Sequence, residues 1–578
     1  MASCPRLTTV LTATACLSAC GLATPALAAP DALDYVPAEA VGVVSVSNLD
    51  DAVSDLRLFA QAATLPLDGE EVAWLLEAIE SPTINAQGSS AVFMLPGEFG
   101  PLPVLVLPVT DYGAFVESFG GVGSGVEEIE FNGQTSYVRS AGEGYAALSP
   151  DAEVLDGWEP KAGGAARIHE SVGARARAAA GDADVVIVGS LTDLADDWRQ
   201  GYEQGKGMAM FFGGAQAAQA FEAIDPLVGG FLNDMQTGVV ALDFEADGVT
   251  ARLLSRFKEG SRLAGWFDGS SSTGELLGRL PNQPFGLAAA GDLSSPAITT
   301  ILGALTKAVP EAQQEQMRAS MAVLENMSGG AFVMGAPSMQ EMSIGAGAFV
   351  RSAYYMRSDE PAALREAFAT AMRQADGQVQ EQQGMTVTTT ASYREDAREI
   401  GGASVDEWSM ASNFQADPEA GQQAMQAAMQ AQMAMGMMFG NQGMGGYVAQ
   451  ADGGLVMTLS RNSDMLTRTL ASAEAGNGLT ANEAIRAISG KLPQNRAFEL
   501  YIGVDQLLAA GAAFFGEVEP MPPVGIVAAS GEDTAEIALH LPPAVIAKGI
   551  ELSEMFGQMG AAPGMGGNQD DNGGGPAF

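Results

Sequence analysis

Phe285-Gly-Leu-Ala-Ala-Ala-Gly-Asp-Leu293 decides how this chain is read. Small and large apolar residues alternate up to a polar residue and a leucine, the pattern of a half-buried strand handing over to a capped helix. The same form recurs at Val41-Gly-Val-Val-Ser-Val-Ser-Asn-Leu49, Val185-Val-Ile-Val-Gly-Ser-Leu-Thr-Asp-Leu194 and Phe498-Glu-Leu-Tyr-Ile-Gly-Val-Asp-Gln-Leu507. Asn48, Thr192, Asp292 and Asp505 stand where a helix cap is expected. Three of the four units follow an apolar-Pro step, at Val36-Pro37, Leu280-Pro281 and Leu492-Pro493.

The segments downstream of these units repeat as well. The second and fourth units lead to a closing hairpin: strands over 239–245 and 249–257 about Asp247-Gly248, and strands over 524–529 and 536–541 about Ser530-Gly531. The first and third lead to paired apolar strands, 91–95 with 104–109 and 331–334 with 346–351, then to helices near 111–119 and 360–375. A further hairpin is expected over 127–138 about Asn132-Gly133. The fold class predicted is α+β, in two tandem related modules at 31–267 and 275–555, each a largely antiparallel sheet with helices packed on one face. The Ser/Gly stretch 268–274 is the expected joint, and 556–578 the expected Gly-rich flexible tail.

The Pro step, the strand, the leucine that opens a helix and the later Leu107-Pro-Val-Thr-Asp111 passage from strand to helix resemble a family of exported bacterial envelope proteins known only as a domain of unknown function. The resemblance covers most of the chain after its first thirty residues and rests on no catalytic motif. It implies a fold and a compartment, and it implies no site residues.

All three cysteines, Cys4, Cys16 and Cys20, fall within a leader made of Arg6 and the apolar run 7–22. Two readings of the leader stand. Residues 1–28 form an export signal cut after Ala26-Leu27-Ala28, or residues 1–19 form a lipoprotein signal in which Leu17-Ser18-Ala19-Cys20 presents Cys20 for lipidation. Both send the protein to the periplasm or cell envelope, and the second, with Gly21 after the cysteine, resembles sorting to the outer membrane as a lipoprotein. The longest later apolar runs, 41–46 and 102–109, have strand length, so no transmembrane span is expected in the mature chain.

A formal net charge of -42 excludes a phosphate-backbone surface, so nucleic acid is not an expected partner. With 578 residues and 47% hydrophobic content, more than one core is expected, and no disulfide holds it together.

Catalytic and metal patterns are thin. His169 and His540 lack a second ligand at zinc spacing, no Gly-x-Ser-x-Gly elbow occurs, and Ser255-Arg-Phe-Lys258 lies in an expected strand without companion motifs. Asp243-Phe-Glu-Ala-Asp-Gly248 opens like a calcium loop but has Leu254 where the bidentate Glu belongs. Gly201-Tyr-Glu-Gln-Gly-Lys206 is one residue short of a P-loop. No cofactor is expected.

The unusual stretch is an insertion at 418–446, rich in Met, Gln, Ala and Gly and, after Glu419, without charge. Met425, Met429 and Met433 share one face of a helix, and with Met437 and Met438 they are the predicted contact residues, since thioethers form a polarizable, adaptable surface. A flap packed on its own module is the plain alternative. The function expected is a non-catalytic exported envelope protein that binds a protein partner or an apolar ligand. The alternatives are an envelope hydrolase without a recognisable motif and a Met-based copper-binding protein, because thioethers suit Cu(I).

Overall fold

The computed structural model describes residues 31–560 except 41, 66–78, 80, 96–100, 132–133, 161–163, 191–198, 205, 208–224, 226–227, 262, 265–272, 297–299, 301–302, 304–318, 320, 338–340, 342–345, 383, 418–420, 441–442, 511–517 and 532. The leader with Cys20, the Asn132-Gly133 turn, Thr192, most of the expected joint and the tail beyond 560 lie outside the described residues.

The fold is mixed helix and strand around a large antiparallel sheet. The first half of the chain supplies Gly42–Val46 (β1), Ser90–Leu95 (β2), Leu102–Pro108 (β3), Glu127–Phe131 (β4), Gln134–Gly142 (β5), Tyr145–Ser149 (β6), Val185–Ser190 (β7), Met235–Glu245 (β8) and Gly248–Phe257 (β9). The second half supplies Leu287–Asp292 (β10), Gly329–Gly335 (β11), Arg351–Arg357 (β12), Val379–Gln382 (β13), Met385–Ile400 (β14), Ala403–Ala416 (β15), Met444–Ala451 (β16), Gly454–Thr458 (β17), Arg496–Ile502 (β18), Val524–Gly531 (β19) and Thr534–Leu541 (β20). They pair in the order β4-β5-β6-β3-β2-β1-β7-β8-β9-β20-β19-β18-β10-β11-β12-β17-β16-β15-β14-β13. Within the sheet the halves join at a seam where β9 and β20 pair from Val249↔Leu541 to Arg256↔Thr534, and Ile546 of the second half also packs against Leu56 and Phe59 of the first.

The described helices are Leu49–Ala62 (α1), Tyr112–Ser118 (α2), Ala152–Gly157 (α3), Gly164–Gly181 (α4), Thr273–Gly278 (α5), Pro361–Ala375 (α6), Gly421–Phe439 (α7), Ser463–Ala475 (α8), Glu483–Lys491 (α9), Val504–Ala510 (α10) and Pro543–Gly560 (α11). The first of them shows how the sequence dictates the element. Asn48 caps α1 by accepting from the N–H groups of Asp50 and Asp51, and the helix then buries Leu49, Ala52, Val53, Leu56, Phe59 and Ala60 at helical spacing.

Helices cover both faces of the sheet, which corrects the one-face expectation. On one face α3 and α4 bring Leu155, Val172 and Ala176 against Phe93, Val106 and Val239, and α5, α8 and α9 bring Leu276, Leu466 and Ile488 against Val333, Val456 and Tyr501. On the other, α1 and α2 bring Val53 and Phe115 against Leu107 and Val185, while α6 brings Leu364 and Met372 against Trp408 and Val448. The reason is in the strands: Val185-Val-Ile-Val188 is apolar at successive positions, so both sides need cover.

Three smaller expectations also change. Residues 348–350 form a 3-10 turn and the strand starts at Arg351, because Phe349 turns aside to stack on Phe439, ring centroids 5.2 Å apart. Asp505 lies within the first turn of α10 and does not cap it. The expected tail is helical through Gly560, as the closing turns of α11.

One buried acid sets a pH dependence. Asp184 is 7% exposed at the start of β7, and its carboxylate accepts the Phe244 N–H at 2.7 Å. Burial pushes this carboxyl up to about 7 against the pull of the Phe244 hydrogen bond, and the nearby Asp243, Asp55 and Asp51 add to the rise. The folded chain thus keeps a proton that the unfolded chain releases near pH 4, so this group withdraws stability as pH rises from about 4 to about 7. Asp184→Asn keeps an oxygen for the Phe244 N–H and removes the titration. Relative to the parent it should gain stability across that window, by at most about 4 kcal/mol at the upper end, read from urea midpoints. Parallel curves at about pH 4 and pH 7.5 would overturn the assignment.

Candidate apolar contact surface

At the seam the strand alternation separates two kinds of side chain. On the face that carries the α4 and α9 cores, Asp243, Thr250 and His540 lie in one cross-strand row. His540 is 0% exposed, its Nδ1 is 3.0 Å from Thr250 Oγ1, and burial holds its imidazole below the usual range. Gly248 is needed beside it, because a Cβ there would come within 2.6 Å of His540 Nε2. Helices clamp this face from both halves: Arg175 of α4 bonds Glu536 at 2.6 Å and the Ser530 carbonyl at 2.9 Å, and Lys491 of α9 bonds Glu245 and Asp247. Burial without solvent access makes His540 a packed strand residue, while His169 lies on α4, so the two histidines are not brought together.

The opposite face of the same strands is apolar and open. Ile187, Val240, Leu253, Ile537, Ala528 and Phe498 succeed one another across β7, β8, β9, β20, β19 and β18. Leu253 is 45% exposed, Ile537 53% and Phe498 39%. The next row along the strands, with Ala251, Leu539, Ile526 and Leu500, is half-buried, and on the other side Ser255 and Ser530 are buried. Exposure therefore peaks along a strip about one side chain wide that crosses six strands, a length of roughly 24 Å at the spacing of paired strands. None of the side chains just named carries a charge. A half-open antiparallel sheet ordinarily turns polar residues outward, so an outward apolar strip asks for an occupant.

Within the methionine-rich insertion, Gly421–Phe439 forms one long helix, α7. It rests on β15 through Ala424 and Ala428, which are 4% and 7% exposed. Met425, Met429, Met433 and Met437 form a ridge on its outer side, at 61%, 64%, 65% and 68% exposure. Met438 is half-buried and lies off that ridge. The helix ends where Phe439 stacks on Phe349, which packs against the Trp408 core on the open-strip face of the sheet. The strip itself escapes a reading of the sequence. Its signal lies in Phe498, Leu253 and Ile537, large apolar residues on strands whose alternate positions already supply a core.

The other motifs resolve into structure. Asp247-Gly248 is the β8–β9 hairpin turn, Lys206 ion-pairs with Asp225, and Ser255 is buried while Lys258 donates to the Asn233 carbonyl at 2.6 Å. Among the described residues, no group of three or more His, Cys, Asp or Glu side chains could hold a metal ion, and no helix is long and apolar enough to cross a membrane.

If the ridge faces solvent, changing Met425, Met429, Met433 and Met437 singly to Gln should alter folding free energy by less than about 0.5 kcal/mol each. Ala428→Gln drives a side chain into β15 and should cost about 1–3 kcal/mol. Urea denaturation of the five variants checks this, and equal costs at both faces would refute the orientation of α7. Comparison with known protein families, with curated proteins and with solved structures finds no match for this chain.

Proposed function

We propose that this is a non-catalytic exported protein of the cell envelope, made of two related modules, whose shared sheet binds an apolar chain-like ligand along the open strip. The uncharged Leu253–Ile537–Phe498 strip carries the proposal. In a chain of net charge -42 the named side chains of the strip carry no charge, and its width of one side chain suits an extended apolar chain better than a globular partner. The methionine ridge of α7 is a second apolar contact, adaptable enough to meet a partner or the projecting end of a ligand.

Strand order supports the two-module reading. Outward from the seam, β9-β8-β7-β1-β2-β3-β6-β5-β4 is matched step for step by β20-β19-β18-β10-β11-β12-β17-β16-β15. The leader supports export, by either of its two processing routes. Intact mass of the mature N-terminus separates them: a diacylglyceryl Cys20 or a chain beginning at Ala29.

A fluorescent long-chain alcohol, uncharged at neutral pH, serves as the probe of the strip. The full mature chain should bind it saturably, and Leu253→Lys with Ile537→Lys should weaken binding by about tenfold or more, equivalent to about 1.4 kcal/mol, with the fold intact by circular dichroism. Undiminished binding in the double variant would remove the strip from the proposal. Binding lost instead in the four ridge Met→Gln changes would move the site to α7.

A further inference from the structure

A different observation lies at the far end of the sheet, on the face opposite the open strip. Arg394 of β14 and Arg398, four residues on, both reach Glu407 of β15, Arg398 at 3.1 Å, and Arg461, just before α8, reaches the other carboxylate oxygen at 3.0 Å. The register makes the convergence: Arg394 pairs directly with Glu407, Arg398 pairs with Val405, and the irregularity between the two arginines keeps both on one face. Arg398 is further held over the Tyr447 ring, 5.3 Å from its centroid, and Tyr447 pairs with Glu407 across β15 and β16.

Three guanidiniums meet one carboxylate, so the site carries two surplus positive charges in a chain of net charge -42. Glu407 is 7% exposed; burial opposes its ionisation, but the three guanidiniums hold its carboxyl below the usual range. Each guanidinium has about five N–H donors, and Glu407 takes one from each arginine. The side chains of Arg394 and Arg398 stay 65% and 49% exposed. Of the neighbouring acids, Asp396 and Asp406 share Arg365, and Glu395 shares Arg373 with Glu366. Glu399 alternates away from Arg398, which leaves Asp464, in the first turn of α8, as the adjacent acid. The positive end of α8 adds to the field, with Asn462 already satisfying the Asp464 and Met465 N–H groups.

A buried carboxylate with three arginines is more than ion pairing requires, since one guanidinium neutralises one carboxylate. We infer that Arg394, Arg398 and Arg461, fixed on Glu407, form a binding site for a doubly charged phosphate group, either a soluble monoester or the headgroup phosphate of a lipid. Two surplus charges match a dianion, and planar guanidinium forks match its oxygens. All three arginines hold Glu407, and Arg394 and Arg398 are the two most exposed to a ligand.

Inorganic phosphate, tested against chloride at equal ionic strength so that general screening is constant, is the first probe. Calorimetry on the full mature chain should detect saturable binding, and Arg394→Gln with Arg398→Gln should weaken it by about tenfold or more. Arg461 is left in place in that variant so that Glu407 keeps a partner, and Arg394→Gln alone, at the more exposed position, serves if the pair does not fold. Absence of saturable binding, or binding unchanged in these variants, overturns the site. A second arm identifies the source: glycerol phosphate in solution against vesicles of phosphatidylcholine with and without phosphatidic acid. Retention by phosphatidic acid vesicles that is lost in Arg394→Gln assigns a headgroup, and binding confined to glycerol phosphate assigns a soluble ester. Failure here leaves the apolar strip untouched, because the two sites lie on opposite faces and share no residue.

Discussion

The β9–β20 pairing is the interaction on which the remaining structure depends. Without it each half would end in a long strand with unpaired N–H and C=O groups, a template for unwanted pairing. With it, the ladder from Val249↔Leu541 to Arg256↔Thr534 satisfies both edges and makes one sheet of the two halves. Because residues far apart in the chain meet across this ladder, side chains from both halves can form a common surface. The seam is reinforced where helices reach it. Arg175–Glu536, Arg256–Asp533 and the Lys491 pairs with Glu245 and Asp247 each join the first half to the second. Glu536 is 3% exposed, so losing Arg175 would leave a buried charge without its partner, which costs more than the pair itself contributes.

This joint also explains an inversion of the usual polarity of a sheet. The face closed by α4 and α9 holds the polar row Asp243–Thr250–His540, and the open face holds Val240, Leu253 and Ile537. Hydrophobic burial alone would place these sets the other way round. The polar groups are tolerated inside because Thr250 meets His540 there and charged side chains from α4 and α9 cross the seam beside them. The apolar ones are left outside on the part of the sheet that only the joined halves create, so the strip is a property of the whole chain.

Much of this is legible in the amino-acid order, and the exceptions have physical causes. The four strand units, the β8–β9 and β19–β20 hairpins and the helices α2 and α6 come from alternation, turn chemistry and capping, which act over a few residues. Coverage of both faces is missed by a one-face reading, although Val185-Val-Ile-Val188 already requires it. Residues 348–350 read as strand because the stacking of Phe349 on Phe439 joins distant parts of the chain, and local pattern carries no trace of that contact. The same limit hides the apolar strip and the arginine cluster: Arg394, Arg398 and Arg461 look like ordinary surface residues until register sets them on Glu407. The methionines are legible as a face because four-residue spacing is local, but the placing of Met438 is not, since it depends on how the end of α7 meets the distant segment at Gly347.

Charge gives these features a common setting. A strip of leucine, isoleucine and phenylalanine together with a ridge of four methionines would promote self-association in a neutral protein. Here 70 acidic residues stand against 28 basic ones, and copies of the chain repel one another at long range while an uncharged ligand feels no such barrier. The same field makes a local excess of arginine informative. Basic side chains are scarce in this chain, and many of those described pair with acids at the seam or against the sheet, as Arg175, Arg256, Arg365 and Lys491 do. Three gathered on the one carboxylate of Glu407 exceed what neutralisation needs, and the excess creates a positive patch that an acidic surface otherwise denies to anions. Acidity thus keeps the apolar surfaces apart from one another and confines anion attraction to the few places where the strand register gathers arginines.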